Sequence, residues 1–340
     1  MTVRNFCGFT LILLSAGGLA GESAQLAGPV SGYVFDASAR GLRPILGVPG
    51  SSLLGNPVDF GLEVGAAYVA PGQDAAFVRA AGGTFHLFRL QSGAATEVMV
   101  NGLAGAPERV IFSPSGTAAA LYRSGSVQIV TGLPASPAIA SSLDVSAAGV
   151  PGSLALSDDG TSFLLASGRS VELIANGGGL QTLTATAGPA LLAFAPGRLE
   201  AAVADPAGAG VVLFRNLAGA AAPQVLAAPD NTIQSATALA FTPDGGRVLL
   251  ANFGAQSVMA FDLAGGAPSS IACSCSPTAL ARIGNLFRLN EPGRDPLWLL
   301  DAQGDSPRLL FVPALGTGVT RQPTPETPRP PAQRPNTSPE

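Results

Sequence analysis

The sequence predicts an all-β fold of repeated four-stranded units set in a ring, a β-propeller. Three observations point there. Gly (43) and Pro (29) are abundant in the 340 residues, which favours many turns over long helices. Short apolar runs lie between those turns at the length of strands. The whole unit recurs with a period near 40–45 residues, the spacing of propeller blades.

The clearest unit is Thr237 to Leu263, where three apolar runs are separated by Pro243-Asp244-Gly245 and by Gly254. Pro presets φ and Gly accepts positive φ, so Pro-Asp-Gly reads as a turn between strands. Similar units start near Val69, Phe112, Leu156, Phe194 and Phe241, and a degenerate one near Arg282; the spacings are 43, 44, 38, 47 and 41 residues. Small Ala residues beside each anchor suit a crowded inner strand. A blade cannot cover both of its apolar faces alone, and stacking around an axis covers them.

Six anchors predict six blades, with seven as the alternative. A lone hairpin precedes them, Gly32 to Asp36 followed by Leu42 to Gly47. The last unit, Leu280 to Leu315, looks short of its outer strand. The N-terminal strands are therefore expected to pair with the last blade and close the ring.

Residues 1–20 read as a cleavable export signal. Arg4 supplies the positive start, Phe6 to Leu14 the apolar stretch, and Gly18-Leu19-Ala20 the small residues of a cleavage site. Cys7 would leave with it, and the apolar run is short for a membrane span. Residues 21–319 form the expected propeller. Residues 320–340 read as a disordered tail, since Arg321 to Glu340 holds seven prolines and no large apolar residue. A secreted or periplasmic monomer follows, with no stable membrane span after processing. The net charge of −4 argues against a nucleic-acid partner. All 18 cationic side chains are Arg, which excludes lysine Schiff-base chemistry.

Leu250-Ala251-Asn252-Phe253-Gly254, followed by Ser257-Val258, resembles the YVTN-type repeat of bacterial lactonase-like propellers. The resemblance covers one blade well and others loosely. It implies the fold and raises a lactonase-like activity. It carries over no catalytic residue, because the matching positions are structural turns and strands.

Catalytic residues are not identified from the sequence. His86, the single histidine, alternates with Phe85 and Leu87 in an expected strand and reads as packing or surface. One His excludes multi-His zinc sites. Cys273 and Cys275 read first as buried thiols, second as a local disulfide, third as metal ligands. Asp158-Asp159-Gly160 and Asp230-Asn231 read as turns rather than calcium loops, and Trp298 as core. No metal and no cofactor is expected. Two functions remain open. One is a non-catalytic binding or scaffold module for protein or glycan. The alternative is a lactonase-like hydrolase using carboxylates and Arg at the channel mouth, with Asp59, Glu63, Arg282 and Arg288 as its candidates. Whether such charged groups converge on the channel separates the two.

Overall fold

The computed structural model describes residues 28–314 except 176, 230, 231 and 305. The expected export signal, Cys7, the Asp230-Asn231 pair and the tail from 320 lie outside the described residues. Seven antiparallel sheets follow one another along the chain. They are blade 1 (30–54), blade 2 (64–98), blade 3 (109–144), blade 4 (153–185), blade 5 (191–227), blade 6 (236–272) and blade 7 (281–312). Blades 2 to 7 have four strands each in sequence order, and blade 1 has three.

The second strands of blades 2 to 6 are largely apolar on both faces because both faces are covered. Side chains alternate along a strand, so odd and even positions meet different neighbours. In blade 3, Ala118, Ala120 and Tyr122 pack with blade 4. Ala119 and Leu121, between them, pack with blade 2. Ala is common here because sheets crowd toward the axis. Seven buried clusters fill the seven gaps between neighbouring blades.

The seventh sheet corrects the expected six blades and the expected closure. Blade 7 already has four strands, ending in Arg308–Val312, and among the described residues none of them comes from the N-terminal segment. Residues 30–54 make a separate sheet: Val30–Asp36, Gly41–Val48 and Ser51–Leu54. It is inserted between blades 7 and 2. Tyr33 and Leu42 pack on blade 2. Val34, Ile45 and Leu54 pack on Ile283, Leu286, Leu297, Leu299 and Val312 of blade 7. Closure is face against face, and among the described residues no strand pairs across the seam.

The miscount has a physical cause. All six anchors lie in first strands: Val64–Val69, Arg109–Phe112, Ser153–Leu156, Leu191–Phe194, Ala236–Phe241 and Ala281–Ile283. Blade 1 has no first strand among the described residues. Its opening strand begins where other blades begin their second. There the Tyr33 amide donates to Oε1 of Gln73 at 2.6 Å, in the turn between the first two strands of blade 2. Gly32 beside it is required, since a methyl would strike Ile283 at the end of blade 7's first strand. Burial agrees: Val30–Asp36 is mostly covered, like second strands, while Ser51–Leu54 is mostly open, like fourth strands. Ser51–Leu54 also lies beside Arg308–Val312, the fourth strand of blade 7. Blade 1 therefore comprises the second, third and fourth strands of a blade.

If blade 1 is an integral part of the ring, Ile45→Ala should cost about as much as a core truncation elsewhere. Ile45 is 1% exposed and Leu213, between blades 5 and 6, is 0% exposed. Each truncation to Ala is expected to cost about 2–5 kcal/mol in urea unfolding. A cost near zero at Ile45 alone would show blade 1 to be loosely attached.

Candidate functional site

The first strands of blades 2 to 7 surround the axis, and one end of the channel carries their first-to-second-strand turns. These turns are built by short polar side chains. Ser157 Oγ donates to Asp159 Oδ1 at 2.6 Å, and the Thr161 amide donates to the same oxygen at 3.0 Å. Thr242 and Asp244 repeat this, with Oγ1 donating at 2.6 Å and the Gly246 amide at 3.0 Å. For Asp244, the Thr242 hydroxyl and the Gly246 amide hold the carboxyl below its ordinary pKa. At Asp159 burial pushes upward, but the bonds from Ser157 and Thr161 outweigh it.

The turns also tie blade to blade. Asp158 of blade 4 accepts from the Ser115 amide of blade 3 at 2.6 Å and from the Gly197 amide of blade 5 at 2.8 Å. Arg198 donates to the Gly245 carbonyl of blade 6. Arg247 of blade 6 donates to the carbonyl of Gly304, after blade 7's third strand, at 2.6 Å. The Gly284 amide of blade 7 donates to the Pro71 carbonyl of blade 2 at 2.9 Å. With the Tyr33–Gln73 bond, this belt reaches all seven blades.

The channel itself is mostly apolar. Its cavity of about 190 Å³ is lined by Ile111, Phe112, Leu154, Leu156, Leu192, Phe194, Leu239, Phe241 and Leu280. Arg282 is the one charged residue of that lining. Its Nη1 donates to the Pro114 carbonyl at 2.7 Å and its Nε to the Gly284 carbonyl at 2.7 Å. Burial pulls its pKa below the usual arginine value, and the charge of Asp158 works against that fall.

A second cavity, about 430 Å³, occupies the position of the missing first strand of blade 1. It is a slot in the channel wall. Tyr33, Val34 and Phe35 form its floor, Ala67 to Val69 one side, and Ala281 to Ile283 the other. Its turn-face end is closed by the Gly284–Pro71 bond and by Gln73, whose Nε2 also reaches the Arg282 carbonyl at 3.4 Å. Arg288 and Glu291 line it too. These two are ion-paired, and Arg288 also donates to the Asn290 carbonyl at 3.2 Å.

The four charged candidates thus divide. Arg282 and Arg288 meet in the slot. Asp59 and Glu63 lie in the connector from blade 1 to blade 2, exposed beside a different cavity with Arg40. Asp59 accepts the Gly61 amide at 2.8 Å. His86 lies far out in blade 2, with Nδ1 2.7 Å from Glu97 and Nε2 2.8 Å from Thr84. Cys273 and Cys275 are joined as a disulfide, Cα atoms 5.0 Å apart, and are buried against Leu280 and Phe287. Trp298 packs at the edge of that cluster and against Phe311. Among the described residues no three of His, Cys, Asp and Glu are grouped to hold a metal. Gln73 and Glu291 were missed from sequence. Gln73 sits at positive φ in a turn that looks like its neighbours, and nothing in the local pattern marks Glu291.

No family model and no curated protein matches the chain. Solved structures do. The periplasmic gluconolactonase of Pseudomonas aeruginosa superposes with a TM-score of 0.53 at 17% identity, over 84% of this chain and 96% of that one. A Lactobacillus plantarum protein gives 0.55 at 13%, over 83% and 95%. Hydrazine synthase of Kuenenia stuttgartiensis gives 0.50 at 13%, over 87% and 99%. These likenesses support the β-propeller fold, and none bears on the YVTN-type repeat as a sequence family. No helix among the described residues is long and apolar enough to cross a membrane.

If Arg282 is a structural strut, Arg282→Met should destabilise by about 1–3 kcal/mol by leaving two carbonyls unpaired. Arg282→Lys should rescue little, because an ammonium lacks the planar fork that spans both. Urea titrations of the two variants check this. Unchanged stability in both would free Arg282 for a ligand.

Proposed function

We propose that this chain is an exported β-propeller that binds a protein or glycan and performs no catalysis. One observation carries the reading: the ionisable groups at the channel are already committed. Arg282 holds two carbonyls, Asp158 holds two amides, and Arg288 is paired with Glu291. A general acid or base needs a free, aimed group, and His86 is bonded through both ring nitrogens away from the axis.

The binding surface is the end of the ring opposite the turn belt. Blade-to-blade connectors and second-to-third-strand turns share that end. It carries exposed Met99 (78%) and Val150 (81%) in connectors, and Phe253 (41%) in a blade 6 turn. Apolar side chains left open on loops over a rigid scaffold suit a partner. Export is supported by the N-terminal composition and by fold likeness to a periplasmic protein.

A second reading, a lactonase-like hydrolase, draws on the fold likeness to a gluconolactonase and on Arg282, Arg288 and Glu291 in one cavity. Glu291 would serve as its base.

Two measurements separate them. Met99→Ser, Val150→Ser and Phe253→Ser combined should abolish glycan-array or pull-down binding by the mature protein while leaving its melting temperature within about 2 °C, as exposed substitutions do. Turnover of sugar lactones that is lost in Glu291→Gln would overturn the binding reading in favour of the second.

A further inference from the structure

We propose that the channel binds a small aromatic or branched aliphatic carboxylate, with its acid group against the guanidinium of Arg282 and its body among the apolar side chains of the lining. This site is separate from the partner surface proposed above, and neither depends on the other. A charge without a counterion carries the inference. The anchor position of the first strands is Val69, Phe112, Leu156, Phe194 and Phe241 in blades 2 to 6, and Arg282 in blade 7. One cation thus stands in an otherwise apolar ring. Arg282 is half-buried, and burial works against its charge. A guanidinium has five N–H groups. Nε gives one to the Gly284 carbonyl and Nη1 gives one to the Pro114 carbonyl. Nη2 meets no acceptor among the described residues, and no carboxylate there forms an ion pair with Arg282. Asp158 attracts the guanidinium without pairing, because its two oxygens accept the Ser115 and Gly197 amides. A charge taken out of water is stabilised by an ionic partner, and the planar guanidinium fits a carboxylate better than any other anion-binding side chain does.

The rest of the cavity names the rest of the ligand. Its lining comes from blades 2 to 7, and Arg282 and the buried Ser113 are the only polar side chains in it. Ser113 is already engaged: its Oγ accepts the Ala118 amide at 3.2 Å. Sugar hydroxyls would therefore find few side-chain partners, and an unpaired hydroxyl is costly to bury. Phe112, Phe194, Phe241 and Phe287 suit a ring or a branched chain instead. Size limits the choice further. An apolar cavity of about 150 Å³ admits benzene, so about 190 Å³ admits one ring with a short acidic arm. Arg282 reaches from blade 7 to the Pro114 carbonyl of blade 3, past the places of blades 1 and 2, and so spans the turn-belt end of the channel. The guest enters from the opposite end and meets the charge last.

Calorimetric titration of the mature protein with phenylacetate is the test, with phenylacetamide, acetate and gluconate as controls. Phenylacetate is expected to bind with Kd on the order of 0.1–1 mM. Phenylacetamide lacks the charge, acetate lacks the apolar body, and gluconate replaces that body with hydroxyls. Each should bind at least about tenfold more weakly. Arg282→Met should lose at least about tenfold in phenylacetate affinity. Because that variant also loses two structural hydrogen bonds, Leu239→Trp serves as a second. Leu239 is half-buried, lines the channel and not the slot, and gives up no hydrogen bond when replaced. Leu239→Trp should abolish binding while the protein still melts cooperatively. Equal affinity for phenylacetate and phenylacetamide would overturn the proposal, as would unchanged phenylacetate affinity in Leu239→Trp. Gluconate binding tighter than phenylacetate would overturn it in favour of a sugar-acid site. No binding of phenylacetate up to about 20 mM would overturn it as well.

Discussion

The structure depends on one constraint: a sheet that is apolar on both faces needs a neighbour on each. In water a single blade would leave both apolar faces exposed, and burial of such surface is the main favourable term in folding. A row of blades postpones the problem to its two ends, and only a ring removes it. The alternation in the second strands makes this concrete. Ala76 and Val78 face blade 1 while Ala75 and Phe77 face blade 3.

Blade 1 follows from the same constraint with one strand fewer. Its two faces are both occupied, by Tyr33 and Leu42 on one side and Val34 and Ile45 on the other. What it lacks is at the axis, so blades 7 and 2 approach there until their turns bond directly through Gly284 and Pro71. The turn belt then fixes the angular order of the blades with hydrogen bonds, while the packed faces supply most of the stability. Charged groups are scarce, and at the channel this belt and its ion pair engage Arg282, Asp158, Arg288 and Glu291.

Much of the fold was legible because turn chemistry and strand period are local. Pro243-Asp244-Gly245 and its relatives announce hairpins wherever they occur, and five of the six anchors prove to be the last residue of a first strand. Blade 1 was illegible because the anchor signal belongs to first strands and that blade has none among the described residues. Its hairpin was read as a fragment of blade 7, whose four strands are short and weakly patterned. The site was less legible still. Arg282 and Arg288 are one strand apart and could be paired from sequence. Asp59 and Glu63 look equivalent to them in sequence but sit in a connector, and only the path of the chain separates them. For Cys273 and Cys275 the sequence ranks buried thiols ahead of a local disulfide and metal last, and the structure has the disulfide.

The central claim is that seven blades form one closed ring in which blade 1 is an equal member. Native-state hydrogen exchange followed residue by residue tests it most directly. The account predicts that the amides of Val34 and Ile45 exchange only through the same global opening as those of Val203 and Leu213 in blade 5. Exchange of blade 1 as a separate unit, at markedly lower opening free energy than blade 5, would contradict it.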